Sequence, residues 1–203
     1  MSSSESFLGF SNGRSFADVP VDDGIPTTEF LEASEYLVKL FDILGSTAFG
    51  AVISDMNGNI KKIRDRQTAE PGKSSTLQLL TAQEFEEKKK KATATEGLLW
   101  LSRGLDFTSK ALRHNLSHPT EELVTSFQHS YDGTLKKHHN FVVKGIFSVA
   151  LKATPYRKDF YEKIGVSTAD PKDDERLTNW LSSLEKVVST IQGFYGENKD
   201  FGF

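Results

Sequence analysis

The stretch ISDMNGNIKKIRD, residues 53–65, can be interpreted in three ways, and the choice decides the fold of its surroundings. Its acidic and amide residues alternate as in the first half of a calcium-binding loop. Asn57-Gly58 is a strong signal for a two-residue hairpin turn. Asp55, Asn59 and Lys62 also stand at i, i+4 and i+7, which is one face of a helix. The segment therefore binds calcium, turns a strand or continues a helix.

The residues around this stretch exclude the first two interpretations. A calcium loop that starts at Asp55 needs glycine at its sixth position and glutamate at its twelfth, but these positions hold Ile60 and Arg66. A hairpin needs alternating apolar residues on both sides of the turn, and NIKKIRD does not alternate. Instead Val52, Met56 and Ile60 recur every four residues, and another isoleucine follows after three. This periodicity predicts a helix that runs through the Asn-Gly pair.

The predicted helix carries a polar row at the edge of its apolar stripe, formed by Asp55, Asn59 and Lys62. These side chains offer an acceptor carboxylate, a two-way amide and an ammonium donor, which suit a polyhydroxylated ligand. A surface row without any ligand has the same spacing and remains an alternative at this point. Gly58 weakens the helix by up to about 1 kcal/mol, so we expect a group that approaches its backbone closely.

Helical periodicity continues outward from this segment along nearly the whole chain. Thr93-x-x-Glu96 predicts a capping box, and the apolar run from Leu135 predicts one helix that ends before Pro155. The sequence predicts about eight helices in one all-α domain, residues 27–203, after a flexible or loosely draped arm, residues 1–26. The helical patterns cover residues 28–45, 46–65, 76–92, 96–116, 123–131, 135–153 and 157–165, and a last long helix follows residue 174 and carries Leu177 to Ile191.

Composition limits the classes of function. The net charge of −3 gives no case for a polyanion-binding surface, and the absence of cysteine excludes disulfides and thiolate metal sites. The chain shows no signal peptide and no apolar run long enough to span a membrane, so we expect a soluble, cytoplasmic protein. The histidines show no zinc-site spacing, and no cofactor or metal is expected. The 15 phenylalanines fill a core or line a cavity for an apolar ligand.

Five motifs in a fixed order resemble the glycolipid transfer protein family, most closely its fungal-type members. They are FDILGSTAF (41–49), DMNGNIKKI (55–63), LLWLSRGLDF (98–107), LKKHHNFVVKGIF (135–147) and ALKATPYRKDF (150–160). The resemblance extends from about residue 28 to the C-terminus. It implies a two-layer sandwich of eight helices around a collapsible apolar pocket. It also implies non-enzymatic transfer of glycosphingolipids, of the glucosyl- or galactosylceramide class, between membranes.

The resemblance also implies roles for individual residues. Asp55 would accept from the ceramide amide N–H and a sugar hydroxyl, and His139 would donate to the amide carbonyl. Asn59 and Lys62 would hydrogen-bond the first sugar, whose ring would stack on Trp100. Further implied positions form the acyl-chain pocket (Phe41, Leu44, Phe49, Val52, Phe107, Leu135, Phe147, Leu151 and Phe160) and the membrane contact (Phe141).

Departures from the family pattern bear on selectivity. The ceramide-1-phosphate branch carries cationic residues at the positions of Asn59 and Trp100, so their identity here implies a neutral sugar headgroup. Phe141 replaces a membrane-facing tryptophan of animal members, and Phe201 replaces a tyrosine near the ceramide. No catalytic motif occurs in the sequence, and protein partners stay open. The alternative function is a glycosphingolipid sensor or signalling adaptor, for example in fungal-type incompatibility or a cell-death response.

Overall fold

Helices account for nearly all regular structure in the computed structural model, which describes residues 13–167 and 169–201. The long central helix α3 packs against α1, α2, α4 and α7, and α5 covers one side of α1 and α4. Short 3-10 turns join several of the helices. The predicted all-α fold is confirmed. The α-helices are α1 Thr27–Ala69, α2 Leu77–Lys88, α3 Thr93–Ser117, α4 Leu123–Gly133, α5 Phe141–Lys152, α6 Arg157–Lys163 and α7 Pro171–Glu197.

Helix α1 contains the opening stretch and is bent rather than ended at Gly45. That glycine has φ 122° and ψ 93°, a left-handed conformation that disfavours any residue with a side chain. The bend divides α1 into two helical segments, which brings the number of segments among the described residues to the expected eight. Met56 and Ile60 are buried on the second segment, so the helical interpretation of residues 53–65 is correct.

The predicted capping box of α3 is wrong, because the cap comes from another helix. The Glu84 carboxylate on α2 accepts from the backbone N–H groups of Ala94 and Thr95 at 3.2 and 2.8 Å, and from the Thr95 hydroxyl at 2.9 Å. Its side chain is buried, so it satisfies donors that water cannot reach. Glu96, the expected capping partner, is thereby free to lie elsewhere.

The predicted helix from Leu135 is interrupted before α5. Residues Leu135–His138 form a 3-10 turn, and the chain is extended at His139. Asn140 then accepts from the Val143 N–H at 3.0 Å and begins α5 as its N-cap. An asparagine that bonds its own backbone competes with a continuous helix, which explains the break. The interruption turns both histidine rings toward one side of the molecule.

The described part of the predicted N-terminal arm packs on the domain. Phe16, Val19 and Ile25 are buried, and the Phe16 ring meets Phe30 of α1 at 6.4 Å between centroids. For residues 13–26 the expectation of a flexible arm is therefore wrong, because three apolar side chains fix this segment. Residues 1–12 lie outside the described residues. Among the described helices, none combines the length and the apolar character that crossing a membrane requires.

Candidate functional site

A cavity of about 450 Å³ opens between the second segment of α1, the first half of α3 and the turn before α5. It is the place where the polar row of α1 meets α3 and the histidine pair. Polar groups and apolar groups share its wall, as expected for an amphipathic ligand. The lining residues are Ala51, Val52, Asp55, Met56, Asn59, Lys62, Glu96, Trp100, Gly104, Phe107, Leu135, His138, His139, Asn140, Val143, Ile146 and Phe147.

The polar row of α1 is connected by hydrogen bonds along the helix. Lys62 Nζ donates to Asn59 Oδ1 at 3.2 Å, and Asn59 Nδ2 donates to Asp55 Oδ2 at 3.3 Å. Asn59 is buried with only 3% of its surface exposed, whereas its two partners are more open. The row therefore has a fixed orientation, and Asp55 retains acceptor capacity toward the cavity.

Asp55 carries a perturbed carboxyl group. Removal from water raises the pKa of Asp55 above its usual value, and the nearby Lys62 ammonium opposes the shift. Asp55 is exposed at the edge of the cavity and only partly desolvated, and a partly desolvated carboxylate gains more from a new hydrogen-bond donor than a fully hydrated one does. Asp55 is therefore suited to accept from an N–H or O–H group of a ligand.

Trp100 stands on α3 opposite this row and is held by its neighbours. The Arg103 guanidinium lies over the indole ring, 4.8 Å from its centroid. The His139 ring is nearly parallel to the indole at 6.2 Å and 16°, and the His138 ring meets it edge-on at 6.1 Å. Burial lowers the pKa of Arg103. The arginine therefore packs on the tryptophan and is not among the residues that line the cavity.

His139 has a lowered pKa and lies beside a tyrosine hydroxyl. Burial lowers the pKa of His139, and the charges of His138 and Lys144 lower it further. The Tyr131 hydroxyl lies 3.1 Å from its Nδ1 atom. A hydroxyl that donates to Nδ1 leaves the proton on Nε2, which is then a donor for the cavity. No sequence pattern marks Tyr131 as functional, because its i, i+4 spacing within α4 is typical of a core residue.

The nine predicted pocket residues fall into two groups. Val52, Phe107, Leu135 and Phe147 line the cavity. The remaining five are buried in the hydrophobic core and do not line it; they are Phe41, Leu44, Phe49, Leu151 and Phe160. Space for an acyl chain beyond the cavity would thus have to come from movement of packed side chains.

The close approach expected at Gly58 is absent. A Cβ atom placed there would meet no described heavy atom within 4 Å, so Gly58 faces open space. The close contact occurs instead at Gly97 of α3, where a Cβ atom would lie 3.2 Å from Lys62 Cδ and 3.3 Å from the Asn59 backbone oxygen. The glycine in close contact with the polar row is therefore Gly97 on the facing helix. A pattern within α1 alone cannot reveal a contact between two helices.

Other lining residues were missed or misplaced by the sequence analysis. Glu96 was assigned to a cap, and His138 and Asn140 received no binding role, yet all three line the cavity. Of these three residues, only His138 stood out in the sequence, as one of two adjacent histidines. Phe201 lies away from the cavity, with its ring 4.8 Å from Phe85.

An exposed apolar face lies beside the cavity on α5. Phe141 is 90% exposed, Val142 67% and Val149 69%, and Ile146 of the cavity wall is partly exposed. Val142, Ile146 and Val149 share one side of the helix by their i, i+4, i+7 spacing. Contiguous exposed apolar side chains of this kind mark contact surfaces for proteins or membranes.

Comparisons with known proteins agree with this architecture. The sequence model described as "Glycolipid transfer protein (GLTP)" matches residues 25–166. A glycolipid transfer protein of Aureobasidium melanogenum is 58% identical over 182 residues, which cover 89% of each chain. The chain spans 37% of the length of a longer human relative that is 33% identical.

Two solved structures are also similar. The fungal glycolipid transfer protein HET-C2 matches with a TM-score of 0.88 and 48% identity, over 98% of this chain and 100% of that one. The FAPP2 structure also matches, with a TM-score of 0.83 and 33% identity over 94% of this chain and 95% of that one. FAPP2 selects simple glycosphingolipids with the GLTP fold. Both comparisons support the topology described above.

Proposed function

The chain belongs to the glycolipid transfer protein family, and from this premise we propose that it carries glycosphingolipids with simple neutral headgroups between membranes. The observation that carries the proposal is the meeting of Asp55, Asn59, Lys62, Trp100 and His139 at one cavity. These residues come from α1, α3 and the turn before α5, so a chance surface row does not account for them.

Asp55 and His139 are proposed to bind the ceramide amide. An amide that leaves water without new partners loses about 1–3 kcal/mol for each unpaired group. The Asp55 carboxylate accepts from the amide N–H, and His139 Nε2 donates to the amide carbonyl. Tyr131 supports this arrangement through its hydrogen bond to Nδ1.

Asn59, Lys62 and Trp100 are proposed to bind the first sugar. The apolar face of the sugar ring lies on the indole, while its hydroxyl groups bond the amide and ammonium of α1. The cavity wall also carries the carboxylates of Asp55 and Glu96, with Lys62 as the one Lys or Arg among the described lining residues. This balance favours a neutral sugar over a phosphate.

The acyl chains are proposed to enter below the headgroup, along Val52, Phe107, Leu135 and Phe147. The deeper predicted residues, Phe41 and its buried neighbours, would move apart as the chains enter. The exposed face of α5, with Phe141 at its start, is proposed to contact the membrane during pick-up and release. The protein would thus work as a cytoplasmic carrier with transient membrane contact.

We propose that the protein acts as a carrier and not as an enzyme. Its family consists of lipid transfer proteins, and the described residues that line the cavity include no serine, threonine or cysteine to serve as a nucleophile. The sensor or adaptor function remains an alternative, because such a protein would bind the same lipid without releasing it to a second membrane.

A vesicle assay tests the proposal. Radiolabelled glucosylceramide should move from donor to acceptor vesicles when the protein is present, and a sensor would bind the lipid without moving it. Asp55→Val should lose nearly all transfer while its circular dichroism stays helical. Asp42→Val removes an exposed carboxylate from α1 outside the cavity and should transfer normally. Normal transfer by Asp55→Val would refute the assignment of the site.

A further inference from the structure

A second polar cluster lies at the corner where α3 ends and α4 begins. His114 lies in the last turn of α3, and His118, four positions later, is the C-cap residue of that helix. Glu121 lies in the connection between α3 and α4. One ligating atom from each of the three lies within 4.8 Å of the others. The rise along α3 places this corner about 21 Å from Trp100, so the cluster is separate from the cavity.

We propose that His114, His118 and Glu121 bind one divalent metal ion of the zinc class. The sequence predicts no metal pattern among the histidines, and here the structure differs. Pro119 breaks the helix and returns the chain, so a glutamate outside the helix reaches the histidine pair. That return is a tertiary feature that histidine spacing alone does not contain.

The ligand atoms are close to the geometry that zinc requires. Zinc bonds of about 2.0–2.2 Å to nitrogen and oxygen place tetrahedral ligands about 3.4 Å apart. His114 Nε2 and Glu121 Oε2 are 3.0 Å apart. The His114 and His118 rings are stacked, with centroids 4.1 Å and planes 14° apart, so the exposed His118 ring has to turn out of the stack before both nitrogen lone pairs meet at one ion. Imidazole and carboxylate together suit zinc, nickel and copper better than calcium or magnesium.

The hydrogen bonds of the cluster prepare the histidines for a metal. The carbonyl of His114 is 2.9 Å from His118 Nδ1, and a carbonyl only accepts, so Nδ1 carries the proton and Nε2 keeps its lone pair. A histidine bonded in this way to a backbone carbonyl is typical of metal ligands. His114 Nε2 donates to Glu121 in the metal-free protein, and the metal would replace that proton, which leaves to solvent.

The backbone that carries the cluster is already fixed. The Asn115 side chain donates to the Glu121 carbonyl at 3.1 Å and to the Ser126 hydroxyl at 3.0 Å, which ties the end of α3 to α4. A ligand set on a fixed backbone loses little conformational entropy when it binds. The metal would therefore add a cross-link between two helices that already lie in place.

His129 of α4 lies beside the cluster without belonging to it. Its ring stacks on His114 with centroids 4.4 Å apart, but it is not among the three residues whose ligating atoms meet. Phenylalanine at this position keeps the ring contact and removes both nitrogens. His129→Phe is therefore the matched control for the loss of a true ligand.

Titration calorimetry with Zn²⁺ tests the proposal on the full chain after removal of any affinity tag. We expect one ion per chain with Kd below about 10 µM, no binding of Mg²⁺, and a rise in Tm of roughly 5 °C at a hundredfold excess over Kd. His118→Ala and Glu121→Gln should each weaken binding at least tenfold, while His129→Phe changes it less than threefold.

Two results would overturn the proposal. One is Zn²⁺ binding that is absent or weaker than about 10 µM, which would leave His114 and Glu121 as a hydrogen-bonded pair only, or binding that is unchanged in His118→Ala, which would place the ion elsewhere. The other is equal loss in His129→Phe, which would show that the three-residue assignment is wrong. Glucosylceramide transfer by His118→Ala should equal that of the parent protein, because His118 lies outside the cavity.

Discussion

Asp55 shows how a binding residue can oppose the stability of its own fold. Its carboxylate is partly desolvated in the folded chain although the residue as a whole is exposed, and this partial desolvation raises its pKa. A carboxyl group with a raised folded-state pKa binds more protons in the folded than in the unfolded chain. Its ionisation therefore lowers stability as pH rises through the window from the unfolded pKa to the folded one.

Asp55→Asn should separate stability from transfer. The amide removes the unfavourable charge and can still accept from Asn59, so we expect Tm at pH 7 to rise by about 1–2 °C. Transfer should fall, because the amide is a weaker acceptor than a carboxylate for the ceramide N–H. Differential scanning calorimetry and the vesicle assay give the two values, and a lower Tm would contradict the argument.

The same pKa predicts the acid limit of transfer. Protonation of Asp55 removes the charged acceptor, so transfer by the parent protein should fall with a midpoint above the ordinary aspartate value of about 3.9. The helical circular dichroism measured over the same pH range serves as the control for unfolding. A midpoint at or below that value would show that Asp55 is not desolvated.

Gly97 and Gly58 form a matched pair of glycines on facing helices. A methyl group at Gly97 would press on Lys62 and on the Asn59 backbone, and one at Gly58 would enter open space. Gly97→Ala should change stability by less than about 1 kcal/mol, since helix propensity offsets the contact, but should weaken glucosylceramide binding severalfold. Gly58→Ala should gain up to about 1 kcal/mol and bind normally.

Binding and unfolding measurements on both variants check this prediction. Equal affinities of the two variants would show that the contact at Gly97 does not position Lys62. Reduced affinity in Gly58→Ala would indicate a ligand contact at that face of α1.

At the scale of elements, sequence patterns located the helices well and their ends less well. The stripe of Met56 and Ile60 predicted the second segment of α1 because a helix period is a property of its own residues. The cap of α3 could not be predicted in this way. Its acceptor, Glu84, belongs to α2, and its place on an exposed-looking Glu-Lys helix gave no sign of burial.

Glu84→Ala should destabilise the whole domain. The change leaves the backbone N–H groups of Ala94 and Thr95 unpaired and buried. We expect a loss of about 3 kcal/mol and a fall in Tm of roughly 10 °C, measured by urea and thermal unfolding. Glu86→Ala is the control, because Glu86 is an exposed residue of the same helix that pairs only with Lys89 in the described structure. Equal effects of the two changes would contradict the cap.

The break before α5 also shows, at the site, that contacts between elements cannot be predicted from the sequence of one element. All five predicted headgroup residues line one cavity, and their role in binding a headgroup stays a prediction. Tyr131 could not be found, because its contact with His139 depends on where α4 ends and on the extended backbone at residue 139. A contact between two elements cannot be predicted from the motif of either element alone.

At the scale of the whole molecule, the cavity and the exposed face of α5 lie side by side. Phe141→Ala removes the most exposed phenylalanine of this face and should weaken vesicle binding roughly tenfold, because burial of one such side chain contributes about 1.5–3 kcal/mol. Co-sedimentation with vesicles measures the effect. Transfer should fall in parallel, while binding of glucosylceramide presented in detergent stays unchanged.

Leu79→Ala provides the control for this surface. Leu79 is also an exposed apolar residue, but it lies on α2 and not on the proposed contact face. An equal loss of vesicle binding in Leu79→Ala would show that the effect of Phe141 comes from general surface hydrophobicity.

On the proposed function, the five predicted pocket residues that pack in the core, Phe41 among them, would also influence how the carrier releases its lipid. An empty apolar hole would lower stability by about 24 cal/mol for each Å³, so the unloaded protein gains by closing it. Each departing acyl chain would be replaced by phenylalanine and leucine side chains that return to contact; in the unloaded structure the Phe41 and Phe49 ring centroids are 5.7 Å apart. The closed core thus competes with the lipid as an internal ligand. It limits affinity and favours unloading at any membrane that can accept the chains.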